Sequence, residues 1–193
     1  RINASIDFDP IKGMIMKGKD TESLISTGKA LVEAVKDYQD NRRTVALSQL
    51  DRAINCIRVL SSSPTTIREL NNVSLATVSD WMEQTTEALG AVRDAIANNR
   101  PVEEIAAAIR KLCAFADGYG QVARTREMNA KKVKPSFDEG RVDLVAKRQS
   151  DALAFIAMTE RNVLVEQVKG LASLYKVKLG KNVPPGISRE PKE

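Results

Sequence analysis

Leu75, Val78, Met82, Thr85, Leu89, Val92 and Ile96 recur at alternating spacings of three and four residues. No other feature of the 193-residue chain restricts its fold as much. Side chains so spaced line one face of an α-helix, and three successive heptads of them require a second helix to cover that face. The covering segment follows at once. Asn98-Asn99-Arg100-Pro101 interrupts the pattern, Pro101 suits a first helical position, and Val102, Ile105, Ile109, Leu112, Ala116 and Tyr119 continue the same seam. A tight turn between two such segments predicts an antiparallel hairpin over 74–98 and 101–130.

Helical spacing extends to both sides. Asp20-Thr21-Glu22 offers a helix start, and Leu24, Gly28, Leu31, Val35 and Tyr38 follow at three-to-four spacing. Asp40-Asn41 interrupts, and Leu47, Leu50, Ile54 and Ile57 resume the pattern up to Ser61-Ser62-Ser63-Pro64. These two segments read equally as two helices or as one bent helix. Asn71-Asn72-Val73-Ser74 is a further start signal. Ser136-Phe137-Asp138-Glu139 has the form of a capping box, and Pro135 turns Lys134 away from helix, so a long helix is expected from about 137 to about 178. Such a helix would measure about 60 Å, with Gly170 as a place to bend and Gly180 as its C-cap. Its middle, ALAFIAM at 152–158, is apolar on every side and predicts a helix surrounded by others.

Composition agrees with this pattern. Hydrophobic residues make up 42% of the chain but aromatic residues only 4%, so small and branched aliphatics supply the packing. The expected fold is all-α: an elongated bundle of about five helices with coiled-coil-like antiparallel packing and a long C-terminal helix. Residues 1–19 break the helical period and read as an extended N-terminal arm, with Ile6, Phe8, Met14, Ile15 and Met16 as apolar docking side chains. The bundle domain spans 20–180, and 181–193, rich in proline and charge, reads as a flexible basic tail.

The net charge of +5 is not spread evenly. Arg124, Arg126, Lys131, Lys132 and Lys134 stand against Glu127 alone, and residues 176–193 carry five cations against two anions. The cluster at 124–134 is a candidate contact for nucleic acid or for a protein partner. It holds no aromatic residue for base stacking, and a straight long helix would hold it far from the basic tail.

Catalytic chemistry finds little to work with. The chain has no histidine, hence no imidazole base or metal ligand, and its two cysteines cannot form a structural zinc site. Phosphate-binding glycine loops, a nucleophile elbow and a calcium loop are all absent from the sequence. No cofactor is expected. Cys56 and Cys113 fall within helical pattern and read as small, reduced core residues, with a single bridge as the alternative. Trp81 lies one position before the seam residue Met82 and reads as a flank of the bundle. Gly118-Tyr119-Gly120 reads as two glycines tolerated within a helix. The chain opens at Arg1 and not at Met, so a missing leader is uninformative; a cytoplasmic location is favoured and export stays open. No apolar run is long enough to span a bilayer.

The function expected on these grounds is non-enzymatic. The chain reads as a structural or assembly protein acting through protein–protein contact, with self-association foremost, as a component or scaffold of a larger particle or secretion machine. A nucleic-acid-associated helical protein using the 124–134 cluster is the alternative, and a membrane-active, pore-forming bundle stands third.

Overall fold

In the computed structural model, which describes residues 21–190, helix α1 runs unbroken from Thr21 to Ser62. The Asp40-Asn41 pair does not divide it. Each of these residues costs only a few tenths of a kcal/mol within a helix, too little to stop one flanked by good formers. The Thr44 hydroxyl donates to the Asp40 carbonyl (2.9 Å), a contact compatible with continuous helix. The arm residues Ile6, Phe8, Met14, Ile15 and Met16 lie outside the described residues. The chain divides into two compact units at Ser48/Gln49. Within the first, the Arg42 guanidinium sits 5.4 Å from the centre of the Tyr38 ring, and Ile25 and Val32 are 55% and 68% exposed.

The second unit holds the rest. After α1 come a single turn α2 (Pro64–Arg68), α3 (Asn72–Ala97), α4 (Val102–Lys132), two three-residue strands β1 (Ser136–Asp138) and β2 (Arg141–Asp143), and α5 (Val145–Tyr175). Asn71 caps α3, its side-chain oxygen accepting from the Ser74 amide at 2.8 Å. At the other end Asn99 takes a left-handed φ of 51°, and the Arg100 amide donates back to the Ala95 carbonyl (3.0 Å). Asparagine tolerates that conformation well, so the tight turn read at 98–101 forms as its chemistry suggests. The Pro101 carbonyl then accepts the first amides of α4, from Glu104 and Ile105.

The expected capping box is overturned. Ser136–Asp138 pairs antiparallel with Arg141–Asp143, Phe137 opposite Val142, and the turn residues Glu139 and Gly140 have φ of 45° and 76°. Two successive left-handed residues make the tight hairpin turn whose twist matches its strands. Gly140 favours that geometry, whereas in the first turn of a helix it would cost about 1 kcal/mol, comparable with what a cap contributes. The work of starting α5 falls to Asp143, whose Oδ1 accepts from the Val145 amide at 2.8 Å. Helix α5 therefore spans 31 residues, about 46 Å, and not the 60 Å expected. Gly180 does not cap it. The helix ends with Lys176 at a φ of 53° and the Val177 amide donating to the Ala172 carbonyl (2.9 Å).

The buried stripes also depart from the heptad. On α3 the buried positions are Ser74, Val78, Trp81, Thr85, Leu89, Val92 and Ile96, while Leu75 and Met82 are only half-buried. Ser74, Thr85 and Ile96 are eleven apart, as are Val78 with Leu89 and Trp81 with Val92. The same interval links Leu153, Leu164 and Tyr175 on α5. Eleven residues in three turns is 3.67 per turn, close to the natural pitch of a helix, whereas a heptad needs underwinding to 3.5. Drift between those periods moves the buried face from Met82 to Trp81. Trp81 is thus a core residue and not a flank.

Helices α4 and α5 run antiparallel and make an extensive contact. Lys147 Nζ donates to the Ala130 carbonyl (2.7 Å) at one end, and Arg110 Nε to the Lys178 carbonyl (2.9 Å) at the other. Small residues permit the approach: Ala116, Gly120 and Ala123 are buried on α4, and Ala154, Ala157 and Ala172 on α5. Helix α4 passes through Gly118-Tyr119-Gly120 unbroken. Of the run 152–158, Phe155 is 61% exposed, so that segment is not enclosed on all sides. Residues 177–190 follow α5 as an irregular segment. Val177, Leu179 and Pro184 are buried, the Leu179 amide donates to the Arg189 carbonyl (2.9 Å), and the Cys113 thiol donates to the Asn182 carbonyl (3.5 Å). Cys113 is buried and Cys56 exposed, and both are free thiols; neither the bridge nor the core placement of Cys56 holds.

Candidate functional site

The five cations of the 124–134 cluster do not gather on one face. Arg124 and Lys131, seven residues apart on α4, point the same way, and Lys132 is a step around the helix. Arg126 points elsewhere, its guanidinium 5.4 Å from the centre of the Trp81 ring, where it roofs the core. Lys131 pairs with Glu127 at 3.5 Å, an exposed contact of small worth. Lys134 is exposed beyond the end of α4, beside a hairpin that adds Asp138, Glu139 and Asp143. Acidic groups thus dilute the cluster where the long helix was expected to extend it. Basic residues around Lys178 lie at the opposite end of the α4–α5 pair, beside Arg110.

A polar cluster that went unread in the sequence lies in the core. Glu160 is fully buried and is the only charged residue type that is buried among the described residues. The Tyr119 hydroxyl donates to its Oε2, which the Thr85 hydroxyl also approaches at 3.5 Å. Ser61 Oγ can donate to Oε1 at 3.5 Å or to the Ile57 carbonyl at 3.0 Å. Four helices therefore converge on one carboxyl. Burial pushes the Glu160 carboxyl above its usual range, against the opposing pull of the hydrogen bonds from Tyr119, Ser61 and Thr85. Burial first, then the neighbouring Glu160, raises the Tyr119 phenol as well. A neutral carboxyl satisfies this geometry. Its proton on Oε1 finds the free lone pairs of Ser61 Oγ, and Oε2 accepts from Tyr119 and Thr85. Trp81, edge-on to Tyr119 at 6.4 Å, and Phe115 at 6.1 Å flank the cluster.

The open concave surface lies elsewhere, along the outer side of α3 and α4. A groove of about 640 Å³ has a floor of Ala88, Ala91, Ala107 and Ala108, closed at one end by Phe115. Glu87, Glu104 and Lys111 stand on its rim. Ala91 and Ala107 are exposed, and Glu104 pairs with Arg100 at 2.7 Å. Four alanines on adjacent helices leave room for another backbone to come near, and the mixed rim offers ionic partners around it. The sequence held this signal in Ala-Ala-Ala at 106–108 and in the small residues at 88–91, but the seam reading assigned alanines only to the inside.

Comparison with protein-family models, curated proteins and solved structures finds no match.

Burial, and then the Asp117 carboxylate, raises the Cys113 thiol and so disfavours its thiolate. No group of three or more acidic or cysteine side chains suited to a metal ion occurs among the described residues. None of the described helices is long and apolar enough to cross a membrane.

Proposed function

We propose that this chain is a non-enzymatic assembly protein: a helical bundle that acts by binding protein through its outer surface. The alanine-floored groove on α3 and α4 carries the reading. Its floor is apolar and shallow, and the carboxyl of Glu160 is fully buried. Helical partners suit such a surface, since their ridges pack into grooves lined by small side chains. Helix α1 in the first unit, with Ile25 and Val32 exposed, also supports the reading. Binding of nucleic acid has less support, because Arg126 and Lys131 are already engaged and the hairpin that follows Lys134 carries three carboxylates against one cation, Arg141.

Cys56 supplies a test, being exposed while Cys113 is walled in. Donor- and acceptor-labelled populations at Cys56, once mixed, should show energy transfer that grows with protein concentration and survives moderate salt. Transfer absent at every concentration would count against self-association and move the search to a foreign protein.

A further inference from the structure

We infer that the groove on α3 and α4 receives the first part of helix α1 from a second copy of the same chain. The inference rests on the assembly reading and names its partner. Ile25, Gly28, Lys29, Val32, Val35 and Lys36 fall on one face of α1 at three-to-four spacing. Ile25 and Val32 keep more than half of their surface in water, although both are apolar. A cost of that kind is removed when the face is covered. Gly28 meets no neighbour within 4 Å, so the same face also carries a flat spot for close backbone approach.

The groove is complementary in both respects. Its alanine floor accepts branched side chains, and its rim presents Glu87 and Glu104 to a helix face bearing Lys29 and Lys36. Glu33, adjacent to those lysines on α1, corresponds to Lys111 on the rim. Lys29 and Lys36 stand seven residues apart, about 10.5 Å along the helix, and thus bracket two turns of contact. Because arm and groove are different surfaces, the contact is heterologous; it closes reciprocally between two copies or extends from copy to copy.

Charge exchange tests the pairing without disturbing the core, since all four residues concerned are exposed. The variant Lys29→Glu/Lys36→Glu and the variant Glu87→Lys/Glu104→Lys should each need at least about tenfold more protein than wild type to associate. An equimolar mixture of the two should recover association, because a reversed arm then meets a reversed groove. Ala91→Trp and Ala107→Trp, which fill the groove, should weaken association without change in helicity. Sedimentation velocity reads all of these. Wild type that associates while none of the variants matters would overturn this inference and leave the assembly reading to another surface. Wild type that remains monomeric throughout would overturn this inference and turn the assembly reading to a foreign protein partner.

Discussion

At the scale of the residue, Glu160 decides how the interior behaves. Unfolded, its carboxyl ionises near the ordinary value of about 4.3, and folded it holds its proton to higher pH. Between those two values unfolding releases a proton, so stability falls as pH rises through that window, by about 1.4 kcal/mol per pH unit at most. Glu160→Gln keeps a side chain that both donates and accepts but removes the ionisation. Urea melts at mildly acidic and mildly alkaline pH should therefore show a flatter profile for this variant, and equal or greater stability at the alkaline end. A variant with the wild-type slope would place the titration elsewhere. Tyr119→Phe strips the carboxyl of its closest donor and should cost about 1–3 kcal/mol in the same melts. Glu160 was legible in part: it stands on the stripe Leu153, Ala157, Glu160, Leu164, Val168, a polar residue at a core position. Tyr119 could be placed on its seam from spacing, but the meeting of the two depends on how α4 and α5 align, which spacing within one helix does not specify.

Elements were legible wherever a long periodic pattern ended in a strong breaker. The Asn98–Pro101 turn and the Asn71 cap stand where their side chains suggest. Local signals misled where two were in balance. Ser136–Glu139 fits a helix start, yet Gly140 and the cross-strand pair of Phe137 with Val142 favour a hairpin. The choice can be read in the sign of one substitution. Gly140→Ala would add roughly 1 kcal/mol of stability to a helix. In the hairpin, at a φ of 76° and with open space around it, alanine should instead cost about 1 kcal/mol, seen as a lowered urea midpoint. Period is the second lesson of this scale. A heptad and an eleven-residue repeat agree at Val78, Thr85, Leu89, Val92 and Ile96 and part at 81 and 82. Trp81→Ala should thus cost about 3–5 kcal/mol, whereas Met82→Ala, at a half-buried position, should cost clearly less. Equal losses would restore the heptad.

For the whole molecule, a mostly helical fold was legible because few aromatics and many small aliphatics leave helices as the economical way to fill a core. What could not be read was which helices come closest. Hydrophobic spacing marks a face without its partner, and α4 proved to lie along α5, with buried alanine and glycine between them, while the outer side of α3 and α4 stays open. On our proposal that open side is where a second copy docks, against the alanine floor. Absolute mass in solution, by light scattering behind a sizing column over a dilution series, tests this most directly. The account predicts a mass that rises with concentration in whole-protomer steps. A single protomer mass at every concentration would contradict it.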